Sequence, residues 1–213
     1  MSEKVPPSET PLKDFYFRNH NRMPPSKEAL YLDEARCVFL ELIDFIGDRE
    51  RFNCPVVNPL ARNLSQSIKT GDVGVGYTLD LGSFPIIPKD TPAYFVIVQD
   101  GEQSSPELLL DKTFISQVQK DPVLLIEVAA CIASQAQDFH LGRLPVYTSD
   151  GAITAYRESL ICARAYEAET LRVLLEMAKK EGLLYRIRLN SNQTELLNRY
   201  PRGTIAQADS SIN

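Results

Sequence analysis

Side chains that perform covalent or metal chemistry are few in this chain and widely spaced. It has four cysteines and two histidines: Cys37, Cys54, Cys131, Cys162, His20 and His140. No two cysteines form a C-x-x-C pair, which excludes a zinc-ribbon or thioredoxin-type motif. Three of the cysteines fall within apolar helical patterns, where a thiol acts as a small hydrophobe. Cys54 precedes Pro55 in a predicted loop, and as a nucleophile it would need a histidine as base.

A glycine cluster, GDVGVG, contains Gly71, Gly74 and Gly76. Phosphate-binding loops connect a strand to the N-terminus of a helix, so that backbone N–H groups face the anion. Here the glycines follow a predicted helix and lead into a predicted strand, and no Gly-Lys-Ser/Thr follows. The cluster therefore predicts a turn and a flexible strand edge, not a nucleotide site.

Four acidic residues share one face of the first long predicted helix: Glu34, Glu41, Asp44 and Asp48. Carboxylates on successive helical turns can hold a hard divalent cation, but no histidine or third element accompanies them. We expect a solvated or partner-binding face, represented by Glu41 and Asp44, and no metal. A metal-dependent hydrolase built on Glu41, Asp44 and Glu127 is the least favoured hypothesis.

Glu127 is the one acid in the apolar run 122–133. A buried carboxylate needs a cation or a proton, and Arg157, Arg164 or Arg172 on a later helix would provide the cation. Asp138 and His140 are two residues apart, so on a helix they point to different sides. We expect no catalytic set and no cofactor.

The charge is unevenly distributed along the chain. The net charge is −5, but residues 179–202 carry six basic and two acidic residues, which gives +4 there and leaves −9 elsewhere. Two tyrosines, Tyr185 and Tyr200, lie in this segment. Cations next to aromatic rings can bind single-stranded nucleic acid or an acidic protein, or can form a solvated face. The candidate nucleic-acid-binding residues are Arg186, Arg188, Arg199 and Arg202.

The elements that position these residues are predicted from periodicity and capping signals. Helices are expected at 27–47, 58–69, 105–119, 121–141, 150–180 and 193–199, and strands at 73–81, 93–99 and 183–189. The helix at 121–141 is apolar on all sides and therefore belongs in the middle of a core. The pattern predicts an α+β fold, mostly helical, with three main helices around this buried helix and a small antiparallel sheet.

Residues 1–25 contain five prolines and predict an extended arm, 26–202 a single domain, and 203–213 a disordered tail. The arm carries Phe15, Tyr16 and Phe17, which we expect to dock either on the chain's own core, the favoured alternative, or on a partner. The helix at 150–180 has apolar residues on two sides, and the second side is expected to meet another chain.

These features favour a non-catalytic interaction subunit that binds a protein partner or a second copy of itself through the aromatic arm and the two-sided helix. The alternative is a nucleic-acid-associated protein that uses the basic segment 179–202. No stretch reaches the roughly 20 apolar residues of a membrane span. Free cysteines and the polar N-terminus lead us to expect a reducing, cytoplasmic location.

Overall fold

A computed structural model describes residues 9–20, 28–78, 93–100, 103–111, 113–121, 126, 128–133, 146–148, 153–154 and 157–204. Over these residues the fold is α+β and mostly helical, as the sequence pattern predicts. None of the helices in these ranges combines the length and the apolar character that crossing a membrane requires.

The helices are α1 (Pro11–His20), α2 (Glu28–Gly47), α3 (Asn58–Thr70), α4 (Phe114–Lys120), α5 (Arg157–Lys180) and α6 (Ser191–Arg199). A 3₁₀ turn spans Leu184–Arg186. Residues 126 and 128–133 are also helical and form the central segment. The predictions for α2, α3 and α6 are close to the observed bounds. For α3, a proline in the first turn and a left-handed Gly71 after the last turn set the limits of the helix.

Within the described residues, five strands form one sheet in the order β1-β3-β2-β4-β5. They are β1 (Gly74–Thr78), β2 (Ala93–Asp100), β3 (Gln103–Asp111), β4 (Val146–Thr148) and β5 (Ile153–Thr154). β2 pairs antiparallel with β3 and β4 with β5, whereas β1–β3 and β2–β4 are parallel. The sheet is therefore mixed, and the expectation of a wholly antiparallel sheet is wrong.

The predicted helix at 105–119 is also wrong in its first half. That half is strand β3, which lies between β1 and β2. The strands predicted at 73–81 and 93–99 therefore do not pair directly with each other. Leu108 and Leu110 alternate into the core as strand residues do. Only the second half is helical, as α4. The predicted start of the helix at 150–180 is likewise wrong, because β5 occupies Ile153–Thr154.

One face of the sheet packs against the helices. Phe95, Leu108 and Leu110 on that face are fully buried, together with Phe114 of α4 and several residues of the central segment. The Phe39 and Phe114 rings approach to 6.1 Å between centroids, which joins α2 to α4. The described part of the predicted buried helix thus lies in the core, as expected from its apolar sequence.

The N-terminal region is not extended at 11–20, where it forms α1. Leu12 and Phe15 of α1 are buried, and the Phe15 ring lies 4.9 Å from the Phe45 ring of α2. Burying these side chains contributes about 1.5–3 kcal/mol each. Helices shorter than about 12 residues are marginal alone in water, so α1 depends on this contact. Phe15 therefore docks on the chain's own core, which was the favoured alternative.

The loop between α2 and α3 is held by the Asn58 amide. Its Nδ2 donates to the carbonyl oxygens of Ile46, at 2.5 Å, and Phe52, at 2.7 Å. Asn58 is 1% exposed, so no solvent replaces these bonds. One side chain thus closes the loop that brings Phe52 beside Phe45, where their ring centroids are 5.8 Å apart.

We expect Asn58→Ala to lower the free energy of unfolding by about 2 kcal/mol, because it removes two buried hydrogen bonds. Urea denaturation followed by circular dichroism measures the change. Asn63→Ala, at an exposed position of the same helix, is the matched control and should change stability by less than about 0.5 kcal/mol. Equal effects of the two substitutions would contradict this role of Asn58.

Candidate interaction surface

The candidate site is the segment that follows α5, residues 183–188, which we name the C-terminal turn. α5 ends in a Schellman motif: Gly182 has φ 71°, Leu183 N–H donates to the Ala178 carbonyl oxygen at 2.7 Å, and Gly182 N–H donates to that of Lys179 at 3.4 Å. Leu183 and Ala178 are both buried. The helix end therefore fixes the direction in which the C-terminal turn leaves.

The sequence pattern predicts a strand at 183–189, and this prediction is wrong. Residues Leu184–Arg186 form a 3₁₀ turn, and the Ile187 N–H donates to the Leu184 carbonyl oxygen at 3.1 Å. The alternation of LLYRIRL resembles a half-buried strand, but among the described residues no strand pairs with it. Leu183 serves the helix end instead, and Ile187 packs against the core.

The C-terminal turn presents two large apolar side chains to solvent. Leu184 is 45% exposed and Tyr185 is 72% exposed, and in the described part of the chain Val56 is the other large exposed apolar residue. Arg188 is exposed as well. Apolar and aromatic side chains beside arginine are the composition that protein interfaces favour.

Hydrogen bonds also fix the segment that follows the C-terminal turn. Asn190 and Gln193 form a reciprocal capping box at the start of α6. Arg172 of α5 donates to the carbonyl oxygens of Leu197, at 3.0 Å, and Tyr200 at the end of α6. A guanidinium at a helix C-terminus also interacts favourably with the helix dipole. The turn is therefore fixed at both ends.

The basic residues of segment 179–202 differ in their surroundings: one is in an ion pair and others are exposed. Arg202 pairs with Glu176 of α5, so its charge is partly neutralised within the chain. Lys179, Lys180 and Arg199 are exposed, as is Arg188. The Arg186 side chain lies outside the described residues.

The second side of α5 is largely covered by the chain itself over the described side chains 164–180. Ala165, Ala168, Leu171 and Leu174, which represent both predicted sides, are all buried. α6 packs on this helix through the Arg172 bonds. Leu175 on the second side is half-buried, so a contact of this side with another chain stays a prediction.

The acidic face of α2 is tied to α3. Lys69 Nζ lies 2.8 Å from Asp44 Oδ1, and Ser65 Oγ donates to the same oxygen at 2.5 Å. Asp48 Oδ1 accepts the Glu50 N–H at 2.9 Å. In the described ranges, no three cysteine, histidine or acidic side chains lie where they would hold a metal ion together. Asp44 thus has a structural role, and Glu41 is half-buried.

The glycine cluster fits its predicted role as a turn and a strand edge. Gly71 has φ 86° as the residue after α3. A Cβ on Gly74 would lie 3.1 Å from Glu107 Cγ, and one on Gly76 would lie 3.0 Å from Leu109 Cδ2. These two glycines therefore leave space for side chains of the neighbouring strand β3.

Cys54 is buried rather than poised for chemistry. Burial raises the pKa of its thiol to about 11, although the hydrogen bond with the Val57 backbone acts in the opposite direction. At neutral pH the thiol stays protonated, which is unfavourable for a nucleophile. Cys37 is exposed, contrary to its expected place in an apolar face.

Several sequence predictions lie outside the described residues. They concern Glu127, Asp138 and His140, and the side chains of Tyr16, Phe17, His20 and Cys162.

Among the acids of the described residues, Glu167 of α5 is the one whose pKa the fold shifts. Burial raises its pKa, although Arg164 Nη1, 2.8 Å from Glu167 Oε2, favours the charged form. The side chain is only 13% exposed, whereas that of Arg164 is 45% exposed. Desolvation of the carboxylate therefore outweighs the attraction of a partly hydrated cation.

We expect Gly182→Ala to destabilise the protein by about 1 kcal/mol, because a Cβ is unfavourable in the left-handed region. No atom lies within 4 Å of the added Cβ, so the cost is one of backbone conformation. Thermal unfolding measures it. Gly182→Asn is the control and should cost less, since asparagine tolerates this conformation; an equal or larger loss for asparagine would contradict the explanation.

We expect Glu167→Gln to become progressively more stable relative to the native chain as the pH rises from acid to neutral. The pKa of Glu167 is higher in the folded than in the unfolded chain. Its contribution to stability is therefore fully present below the unfolded-state pKa, where the carboxyl is protonated in both states. This contribution is lost as the pH rises through the folded-state pKa. Urea denaturation across this range measures the difference. Glu195→Gln, at an exposed position, controls for the loss of one charge, and a pH-independent difference for Glu167→Gln would refute the argument.

Similarity to known proteins gives no independent assignment of this surface. Comparisons with protein-family models, with curated proteins and with solved structures find no match for this chain. Its function is therefore argued from the geometry and charge of the C-terminal turn.

Proposed function

We propose that this chain is a non-catalytic interaction subunit that binds a protein partner through the C-terminal turn. The observation that carries the proposal is the exposure of Leu184 and Tyr185, at 45% and 72%, on a segment fixed at both ends. A fixed segment loses little conformational entropy on binding, so more of the contact energy appears as affinity.

The chemistry of the turn indicates the kind of surface it binds. Tyrosine and arginine dominate the energetics of protein interfaces when they enter a pocket. Lys179, Lys180 and Arg188 are exposed and close in sequence to the two apolar side chains. A partner with an apolar pocket and an acidic rim would complement both features.

The aromatic arm and the acidic face have smaller parts in this proposal. Phe15 is buried against Phe45, so it is not available to a partner while α1 is docked. Asp44 is engaged by Lys69. Tyr16, Phe17 and Glu41 remain predicted contact residues. A cytoplasmic location belongs to the same proposal and agrees with the free thiols of Cys37, Cys54 and Cys131.

Nucleic acid is the competing ligand for the same cations and for Tyr185. One observation supports a protein partner over nucleic acid: Arg202, one of the four candidate arginines, already pairs with Glu176. Binding to nucleic acid would fall steeply with salt and would be removed by nuclease treatment.

We expect Tyr185→Ala to weaken partner binding by about 30-fold, as loss of an interface hot spot does, without changing the thermal unfolding temperature. The tagged full-length chain is used to recover a stoichiometric protein from its native cells after nuclease treatment, and the affinity for the purified partner is then measured by titration calorimetry.

Val56→Ala is the matched control, because Val56 is also exposed but lies in the loop before α3. It should retain native affinity. A partner that binds Tyr185→Ala and the native chain equally well would overturn the proposal, as would recovery of nucleic acid alone in a parallel sample that omits the nuclease.

A further inference from the structure

Strand β1 lies at one end of the sheet and has an open edge. Within the described ranges β3 is the one strand that pairs with β1, so the backbone groups along its other side have no ladder partner there. Edge strands that avoid pairing with other chains usually carry lysine or proline, or contain a bulge. The sequence of β1, GVGYT, contains no charged residue and no proline, and Gly74 is exposed. This edge can therefore accept an added strand.

The Glu107 side chain of β3 lies across β1. Glu107 is paired with Gly74 in the ladder, on the sheet face opposite to the buried Leu108. A Cβ on Gly74 would lie 3.1 Å from Glu107 Cγ, and one on Gly76 would lie 3.1 Å from Glu107 Oε2. Because these two glycines have no side chains, the carboxylate extends over the β1 backbone toward the open edge.

The Glu107 carboxylate has a hydroxyl partner but no cation. None of the ion pairs in the described part of the chain includes it, and the Ser105 hydroxyl donates to Oε1 at 3.4 Å. Glu107 is half-buried, and a nearby cation stabilises a partly desolvated carboxylate. Adjacent strands lie about 4.8 Å apart, so a lysine or arginine on a strand added to β1 would reach this carboxylate.

We propose that the edge of β1 binds an extended segment of a partner protein, which adds to the sheet as a strand and places a lysine or arginine against Glu107. Backbone hydrogen bonds to β1 provide the affinity and the cation provides the specificity, as in other complexes formed by strand addition. A second copy of β1 does not fit this role, because GVGYT contains no cation. The proposal uses neither Leu184 nor Tyr185, so it does not depend on the proposed function.

The first measurement selects peptides with the full-length chain. Random peptides of about six residues, the usual length of a strand, are displayed on phage and bound to the native chain. We expect the selected peptides to share lysine or arginine at one position. A Glu107→Lys chain should instead select aspartate or glutamate at that position. Selection of no peptide by the native chain, or the same preference for both chains, would overturn the proposal.

The second measurement titrates a selected peptide against single-charge variants whose folding is verified by thermal unfolding. Glu107→Gln should weaken binding by about 5-fold, as loss of a partly exposed ion pair does. Glu195→Gln, at an exposed position of α6, is the matched control and should retain native affinity. Equal losses for the two variants would show a general effect of charge and would contradict the role of Glu107.

Methylation of the peptide backbone nitrogens tests whether the peptide binds as a strand. In a ladder the N–H groups of alternate residues face the neighbouring strand. Methylation of one alternate set should therefore abolish binding, whereas methylation of the other set should leave it nearly unchanged. Equal effects of the two sets would refute strand addition.

The Tyr185→Ala chain separates this proposal from the proposed function. It should bind the selected peptide with native affinity, even if its affinity for the partner of the C-terminal turn is lost. Loss of peptide binding by Tyr185→Ala would place the peptide on the C-terminal turn and would overturn the assignment to β1.

Discussion

The aromatic contacts of Phe45 are the interactions on which the arrangement of the first half of the chain depends. Its ring meets Phe15 of α1 at 4.9 Å and Phe52 of the following loop at 5.8 Å, and the Arg51 guanidinium lies 4.9 Å from its centroid. Three segments that have no backbone ladder between them are thereby joined. Tilted aromatic pairs add about 0.5–1.5 kcal/mol beyond the area they bury, and Asn58 fixes the loop that delivers Phe52.

In the described part of the chain, three contacts of charged side chains hold structural elements together. Asp44 holds α3 to α2, Glu181 caps α1, and Arg172 holds the end of α6. The exposed Lys69–Asp44 pair contributes at most about 1 kcal/mol, so its main effect is on orientation. What these contacts leave exposed is a basic turn with two apolar side chains.

The C-terminal turn shows how helix ends can prepare a surface. The Schellman motif at Gly182 and the capping box at Asn190 use local hydrogen bonds to fix both sides of a six-residue segment. Leu183 is buried to close the helix, and the next two residues then have to point away from the core. The exposure of Leu184 and Tyr185 follows from this geometry, and a protein partner is the occupant that it supports best.

Local signals in the sequence determined some of the helices: Pro59 and Gly71 set the ends of α3, Gly182 set the end of α5, and apolar periodicity set α2. They also determined the mostly helical α+β class and the basic segment. Tertiary structure alone decided the rest, because the same alternation of LLYRIRL suits a strand or a capped turn until a partner strand is present or absent. Segment 105–111 became a strand because β1 and β2 pair with it on both sides, and Phe15 became a core residue because Phe45 and Glu181, far away in the sequence, accept its helix. Such long-range contacts leave no local pattern, and they decide which side chains remain exposed for a partner.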